Sequence, residues 1–177
     1  MLNIILIVIS IIAVAITAII IIAALKPNTF SVQRSASIAA SPDKIFPLIN
    51  DLQAHRSWSP FDKGPDIHRT YRGAAKGVGS TLDFADRKAG TGRLEITDAS
   101  QPSQVTMRLR MTKPFKCDNL IRFMLAPRGG GTTDVTWSMS GAQPFMAKVM
   151  STIINCDKMV GGQFEQGLAQ LKAIAEK

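Results

Sequence analysis

An uninterrupted apolar run opens the chain and constrains it more than any other feature. Residues 2–25 (LNIILIVISIIAVAITAIIIIAAL) carry no charged side chain, and only Asn3, Ser10 and Thr17 fall outside the hydrophobic set. As a helix the run reaches about 36 Å, enough to cross a hydrocarbon core of about 30 Å. The competing reading is a cleaved signal peptide. Against it, no Lys or Arg precedes the run, and the run exceeds the usual apolar stretch of about 7–15 residues. No small-x-small site closes it either, since Ala13-Val14-Ala15 has that form but lies mid-run. A retained single-span anchor is the expectation.

This divides the chain into a transmembrane anchor over 1–25, a short linker over 26–29 and one domain over 30–177. Pro27 disfavours continuation of the helix, so Lys26-Pro27-Asn28-Thr29 is a stalk that keeps the domain close to the bilayer. Lys26 and Arg34 come after the span and nothing basic precedes it. The positive-inside tendency therefore favours a cytoplasmic domain, whereas an uncleaved signal-anchor would place it outside.

The averages of 46% hydrophobic and net charge +8 describe two different polymers, because all 21 basic and 13 acidic residues lie beyond Leu25. The part of the chain after Leu25 has the composition of a soluble domain. A disordered chain, a disulfide scaffold and a multi-span membrane protein are excluded. Cys117 and Cys156 read as small packing residues. Pairing them would need Cα atoms within about 7 Å.

Beyond the stalk, Phe30–Ala39 alternates as a strand, with Arg34 the exception on its apolar face. Ser41-Pro42-Asp43 opens a helix, Ser41 as N-cap and Pro42 in the first turn. A second short helix is expected over Asp51–Trp58, stopped by Ser59-Pro60. Strand-like runs succeed it at His68–Arg72, Ser80–Ala85, Gly92–Thr97, Gln104–Thr112, Asp118–Ala126 and Thr132–Ser140. From Pro144 onward the period becomes helical. Phe145, Val149, Ile153 and Cys156 continue into Val160, Phe164, Leu168, Leu171 and Ala175 as one stripe, which Gly161-Gly162 should bend or break. The order predicts an α+β fold, a curved antiparallel sheet closing round a long C-terminal helix.

That order and its motifs resemble the SRPBCC superfamily (helix-grip, START-like), and within it the polyketide cyclase/dehydrase and lipid-transport-like group. The motifs are Ala40-Ser41-Pro42 with Ile45-Phe46-Pro47-Leu48-Ile49, Trp58-Ser59-Pro60-Phe61, Gly77-Val78-Gly79-Ser80 and Gly90-Thr91-Gly92-Arg93-Leu94-Glu95-Ile96. They continue with Lys113-Pro114-Phe115, the run Thr132–Gly141 and the run Phe164–Lys172. The resemblance covers roughly residues 30–175. It implies about seven strands gripping the last helix, two short helices closing one end, and an apolar cavity between sheet and helix. Family members bind sterols, lipids, polyketides and plant hormones, and a minority catalyse cyclisation, dehydration or hydrolysis. Phe61 stands where many relatives carry a second Trp.

Catalytic chemistry is sparsely supplied. His55 and His68 lie on polar, loop-like segments without metal-ligand spacing and read as surface residues. The cysteines form no Cys-x-x-Cys, and no Gly-x-Ser-x-Gly elbow exists. Acid–base work by Glu95 or Tyr71 competes with simple packing roles. Gly73-Ala74-Ala75-Lys76-Gly77-Val78-Gly79 precedes a strand and reads as turn chemistry, not a phosphate loop. No metal, cofactor or nucleic-acid partner is expected.

The apolar faces carry more. Met107, Met111, Trp137 and Met139 on strands should converge with Val149, Ile153 and Phe164 on helix, while Trp58, Phe61 and Tyr71 sit at the loop-rich end where a cavity would open. Between Thr106 and Arg128 six basic residues face Asp118 alone. Of these, Arg108, Arg110, Lys113 and Lys116 are candidates for anionic head groups, against the simpler role of a solvated face. The expected function is a membrane-anchored binding module for a hydrophobic small molecule or lipid. The alternative is a metal-free cyclase, dehydratase or hydrolase working in the same cavity.

Overall fold

The structure is a computed structural model and describes residues 2–64, 66–86 and 90–177. Residues 1, 65 and 87–89, which belong to the expected anchor and to segments read as loop, lie outside the described residues.

Helix α1 (Leu2–Leu25) is the apolar run, and none of its most hydrophobic stretch is buried in the protein. Strand β1 (Thr29–Ile38) begins shortly after it, and then come α2 (Pro42–Ile49), α3 (His55–Trp58) and a 3-10 turn over Pro60–Asp62. Six strands then run in succession: β2 (His68–Gly73), β3 (Ser80–Asp86), β4 (Gly90–Ser100), β5 (Gln104–Lys113), β6 (Cys117–Pro127) and β7 (Thr133–Ala142). Helices α4 (Phe145–Ile153) and α5 (Cys156–Ala175) complete the chain.

The seven strands form one antiparallel sheet in the order β1-β7-β6-β5-β4-β3-β2. Consecutive hairpins build β2 through β7, and β1 joins at the far edge beside β7. Register shifts in β4, between Thr91 and Gly92 and between Ile96 and Asp98, break the flat ladder and favour curvature. Gly73 at the β2 turn has φ +75°, and a Cβ there would lie 2.1 Å from the Gly79 carbonyl oxygen, so only glycine fits.

Period-2 alternation sends one side of each strand inward. Leu82, Ile96, Val105, Met107, Ile121, Phe123, Leu125, Val135 and Trp137 are buried in one core with Ile45, Phe46 and Ile49 of α2 and Phe164, Leu168, Leu171 and Ala175 of α5. Arg34 breaks the apolar face of β1 for a physical reason. Its guanidinium reaches α5, donating to Glu165 at 2.7 Å and to Asp157 at 2.9 Å. The helix can pass this close because residue 161 is glycine; a Cβ there would sit 2.1 Å from Arg34 Nη2.

Three expectations need correction. The helix does not break at Gly161-Gly162, because α5 runs through both; the break is at Ile154, which is extended, with Asn155 capping α5 through its side chain onto the Lys158 N–H. The stripe from Phe145 to Ala175 is therefore two faces, not one. Ser41 does occupy the N-cap position, but its side chain makes no capping bond; its carbonyl accepts from the Lys44 and Ile45 N–H groups instead. Both cysteines are free.

Candidate functional site: the cavity between sheet and helix

A cavity of about 480 Å³ lies between the sheet and α5. Leu82 and Phe84 of β3, Leu94 of β4, and Met107, Leu109 and Met111 of β5 form one side. Asn119, Ile121 and Phe123 of β6 with Trp137 and Met139 of β7 form the next. Met159, Val160 and Phe164 of α5 close it, and the α3 region adds His55, Trp58, Ser59, Phe61 and Asp62. These are the inward positions of five successive strands, so the strand alternation that buries the core also lines the cavity.

One end is an aromatic wall. Trp137 stacks on Phe164, ring centroids 4.2 Å apart and planes 10° from parallel. Trp58 meets Trp137 and Phe123 edge-on at 5.6 and 5.8 Å, and Phe61 leans over both Trp137 and Phe164. Gly167 makes the stack possible, since a Cβ there would lie 2.6 Å from the Trp137 ring. Trp58 is fixed from outside by its indole N–H, which donates to the Leu48 carbonyl at 2.9 Å.

Polar groups are few. Asp62 Oδ2, Asn119 Oδ1 and Trp137 Nε1 are buried without a hydrogen-bond partner, and all three residues line the cavity. Unpaired polar atoms in an apolar wall are costly, which makes them the natural partners for a polar group on a bound molecule. Asn119 lies across Gly141 in this position; a Cβ on Gly141 would stand 2.2 Å from Asn119 Oδ1. Asp62 is held by Arg69, whose guanidinium also donates to the Asp62, Gly64 and Ile67 carbonyls and so clamps the loop below the cavity.

His55 is buried on the cavity wall, its Nε2 hydrogen-bonded to the Ile49 carbonyl at 2.8 Å and its ring 4.8 Å from that of Trp58. Burial drives its pKa below the ordinary imidazole value, against the opposing pull of the Ile49 carbonyl, Asp62 and Asp51. It is a neutral histidine at neutral pH. The expectation of a surface residue was wrong for His55, because the short α3 helix folds inward; His68 is exposed on β2. Among the described residues no group of three His, Cys, Asp or Glu side chains is arranged to hold a metal.

The sequence model for polyketide cyclase / dehydrase and lipid transport proteins matches residues 29–176. The chain belongs to this family. No curated protein matches its sequence. Among solved structures it is similar to norcoclaurine synthase from Thalictrum flavum in complex with dopamine and hydroxybenzaldehyde. That match has TM-score 0.62 and 12% identity, over 82% of this chain and 86% of that one. A protein of Chromobacterium violaceum matches with TM-score 0.59 and 18% identity, over 86% of this chain and 99% of its own. The Aha1 dimer from Colwellia psychrerythraea matches with TM-score 0.54 and 22% identity, over 83% and 96%. At these identities the likeness is one of fold, and that fold is the helix grip of the SRPBCC superfamily.

Within this polyketide cyclase/dehydrase family member, the residues singled out from sequence divide cleanly. Met107, Met111, Trp137, Met139 and Phe164 line the cavity, as do Trp58 and Phe61. Trp58 belongs to the deep wall and is fully buried, not to the mouth; Phe61 is the half-exposed one. Tyr71 lies off the cavity: it faces Leu82 across the β2–β3 ladder and packs into the core beside it. Its hydroxyl is buried without a partner, and burial raises its pKa. Val149 and Ile153 are also off the cavity, because α4 packs against α1.

The basic candidates separate too. Arg108 forks onto Asp118 at 2.6 and 2.8 Å on the outer face of the sheet, and Arg110 reaches Glu95 at 3.5 Å. Lys113 and Lys116 are exposed at the β5–β6 turn, on either side of Phe115. Sequence reading overlooked Asn119 and Asp62 and placed His55 on the surface. Parity with Ile121 and Phe123 marks Asn119 as inward; nothing comparable marks the other two, which sit in irregular chain.

Proposed function

We propose that this chain is a membrane-anchored module that binds a hydrophobic small molecule or lipid between its sheet and α5. The observation that carries the reading is the cavity itself, apolar over nearly all of its wall with a few unpaired polar atoms. Its volume lies within the range of about 300–1,000 Å³ typical of small-molecule sites. The occupant is then a largely apolar molecule bearing a polar group that can donate to Asn119 and accept from the Trp137 indole.

Anchoring by α1 is supported by how its end is built into the domain. Ala23 is completely buried, and Lys26 Nζ donates to Ser151 Oγ at 3.0 Å. A leader destined for removal has no need of such ties. The basic residues after the span favour the cytoplasmic side, which protease protection of inside-out vesicles tests directly.

Native mass spectrometry of the full chain after exposure to mixed lipid extract tests the cavity. The wild type retains a discrete apolar ligand, and Met139→Trp, which fills the cavity, loses it while keeping the same circular dichroism spectrum. A wild type that stays empty against every lipid class overturns the reading.

His55 favours a second reading. A buried neutral imidazole on a cavity wall is a proton acceptor suited to acid–base chemistry on a bound substrate. In that case His55→Gln retains ligand but abolishes turnover. Unchanged turnover removes His55 from the chemistry.

A further inference from the structure

Helix α4 is inside out. Its polar side chains face protein: Lys148 is buried and donates to Asn28 Oδ1 at 2.7 Å, while Ser151 Oγ accepts from Lys26 Nζ at 3.0 Å and from Gln143 Nε2 at 2.9 Å. Its large apolar side chains face outward. Met146 is 68% exposed and Ile153 66%, with Phe145, Met150 and the adjoining Ile154 also exposed. Positions 146, 150 and 153 recur at four- and three-residue steps and so form one stripe along the helix. A soluble surface has no use for that arrangement.

Two neighbours say what covers it. The first is α1, which packs on α4 and leaves its own apolar surface bare, so the exposed stripe continues the surface of a helix long enough to span a bilayer. The second is the β5–β6 turn. The ladders pair Thr29 with Ala142, Gly141 with Asn119, and Cys117 with Met111, which sets that turn at the same end of the sheet as the exit of α1. At its tip Phe115 is 75% exposed between Lys113 and Lys116. An aromatic flanked by cations suits an interface carrying anionic head groups. The cavity reaches this end as well, since its wall includes Met111 of β5 and the exposed Met159, one turn into α5.

We propose that α4 and the β5–β6 turn form a docking face that lies in the interface of an anionic bilayer, holding the cavity of the tethered domain against the lipid from which it loads. The proposal rests on α1 being the membrane span, and the test separates the two. In full-length protein with Cys117 and Cys156 changed to Ser, an environment-sensitive fluorophore is placed on a single cysteine at Ile12, Phe115, Met150, Ile153 or Gly130. The protein is reconstituted into phosphatidylcholine vesicles with and without phosphatidylglycerol, and quenching by lipids labelled on the acyl chain is read.

Labels at 150 and 153 lose most of their fluorescence, as does that at 115 when phosphatidylglycerol is present, while Gly130, in the turn at the opposite end of the sheet, is unaffected. High salt or the pair Lys113→Gln and Lys116→Gln reverses the effect at 115. Quenching at 12 with none at 150 and 153 overturns the docking face and leaves the anchor standing. No quenching at 12 overturns the anchor and with it the proposal that rests on it, a failure distinct from loss of quenching at 150 and 153 alone. Unquenched labels at 150 and 153, together with disulfide formation between copies when the unlabelled cysteines at those positions are oxidised by copper phenanthroline, would assign the face to a second molecule of this chain and also overturn the proposal.

Discussion

Helices α4 and α5 are adjacent in sequence and opposite in character. Both repeat apolar residues at three- and four-residue steps, and they are separated only by Ile154 and Asn155. In α5 the stripe of Phe164, Leu168 and Leu171 is fully buried against the sheet, and Asp157 and Glu165 point out to meet Arg34. In α4 the stripe is exposed and Lys148 and Ser151 turn inward. Periodicity therefore reports that a helix has an apolar face without reporting which medium that face meets. The medium is set by the neighbour: for α5 a curved sheet, for α4 the apolar helix α1.

The sharpest way to break this comparison is to truncate one residue in each stripe. Phe164→Ala removes the ring stacked on Trp137 and should cost about 3–5 kcal/mol, read as a lower midpoint in urea. Met150→Ser should move that midpoint by no more than about 0.5 kcal/mol, because its side chain packs on no protein core. Equal losses from the two would mean that α4 is buried like α5.

Within α5 two glycines give opposite signs. Gly162→Ala meets no atom within 4 Å and should gain about 1 kcal/mol from helix propensity. Gly167→Ala drives a methyl group into the rigid Trp137 ring and Pro60, costing about 1–3 kcal/mol net of that gain. Thermal midpoints of the pair measure how tightly α5 presses on the aromatic wall.

Acidification probes the buried side. The folded-state pKa of His55 is lowered from 6.5, so the unfolded chain takes up the proton first. The stabilisation is complete above pH 6.5 and is lost as pH falls towards the folded value. The melting temperature should drop as pH falls through and below 6.5 in the wild type, and less in His55→Gln. The carboxylates held low by arginine partners, Asp83, Asp118 and Asp157, act only further down, below their ordinary range, and leave this window clear.

The smallest effect is expected at the joint of α1 and α4. Lys148→Met removes the bond to Asn28 without opening a core, so global stability should hardly change. Backbone amides of residues 26–28 and 143 should nevertheless exchange faster with solvent. Unchanged exchange would show that the Lys26–Ser151 contact suffices to hold the joint.

Much of the fold was legible because it rests on local rules. Alternation, together with the Gly, Pro, Asp and Lys breaks between runs, placed the strands, and a long apolar run with a proline after it placed α1 and its end. The cavity's strand-borne residues came from the same alternation: once Met107 and Met111, or Trp137 and Met139, are inward, so are their cross-strand partners. His55, Asp62 and Tyr71 were misread or missed because they belong to α3, the 3-10 turn and the edge strand β2. In α3 and the turn no period exists, and the direction of a side chain depends on how the loop is clamped, here by Arg69 onto the Asp62, Gly64 and Ile67 carbonyls. Strand β2 does alternate, but both of its faces carry polar residues, so alternation alone does not say which face is inward.

By itself the sequence determined an apolar helix ahead of an α+β domain with a curved antiparallel sheet and a long last helix, because length, hydropathy and period-2 patterning are properties of consecutive residues. Only the tertiary structure decided that the C-terminal stripe splits at Ile154, that His55 is buried, and that Asn119 and Trp137 leave unpaired atoms on the cavity wall. Those outcomes depend on which distant segments meet. Contacts across as many as 137 residues, as between the Ala39 N–H and the Glu176 carboxylate, are chosen by the packing of the whole chain rather than by any local period.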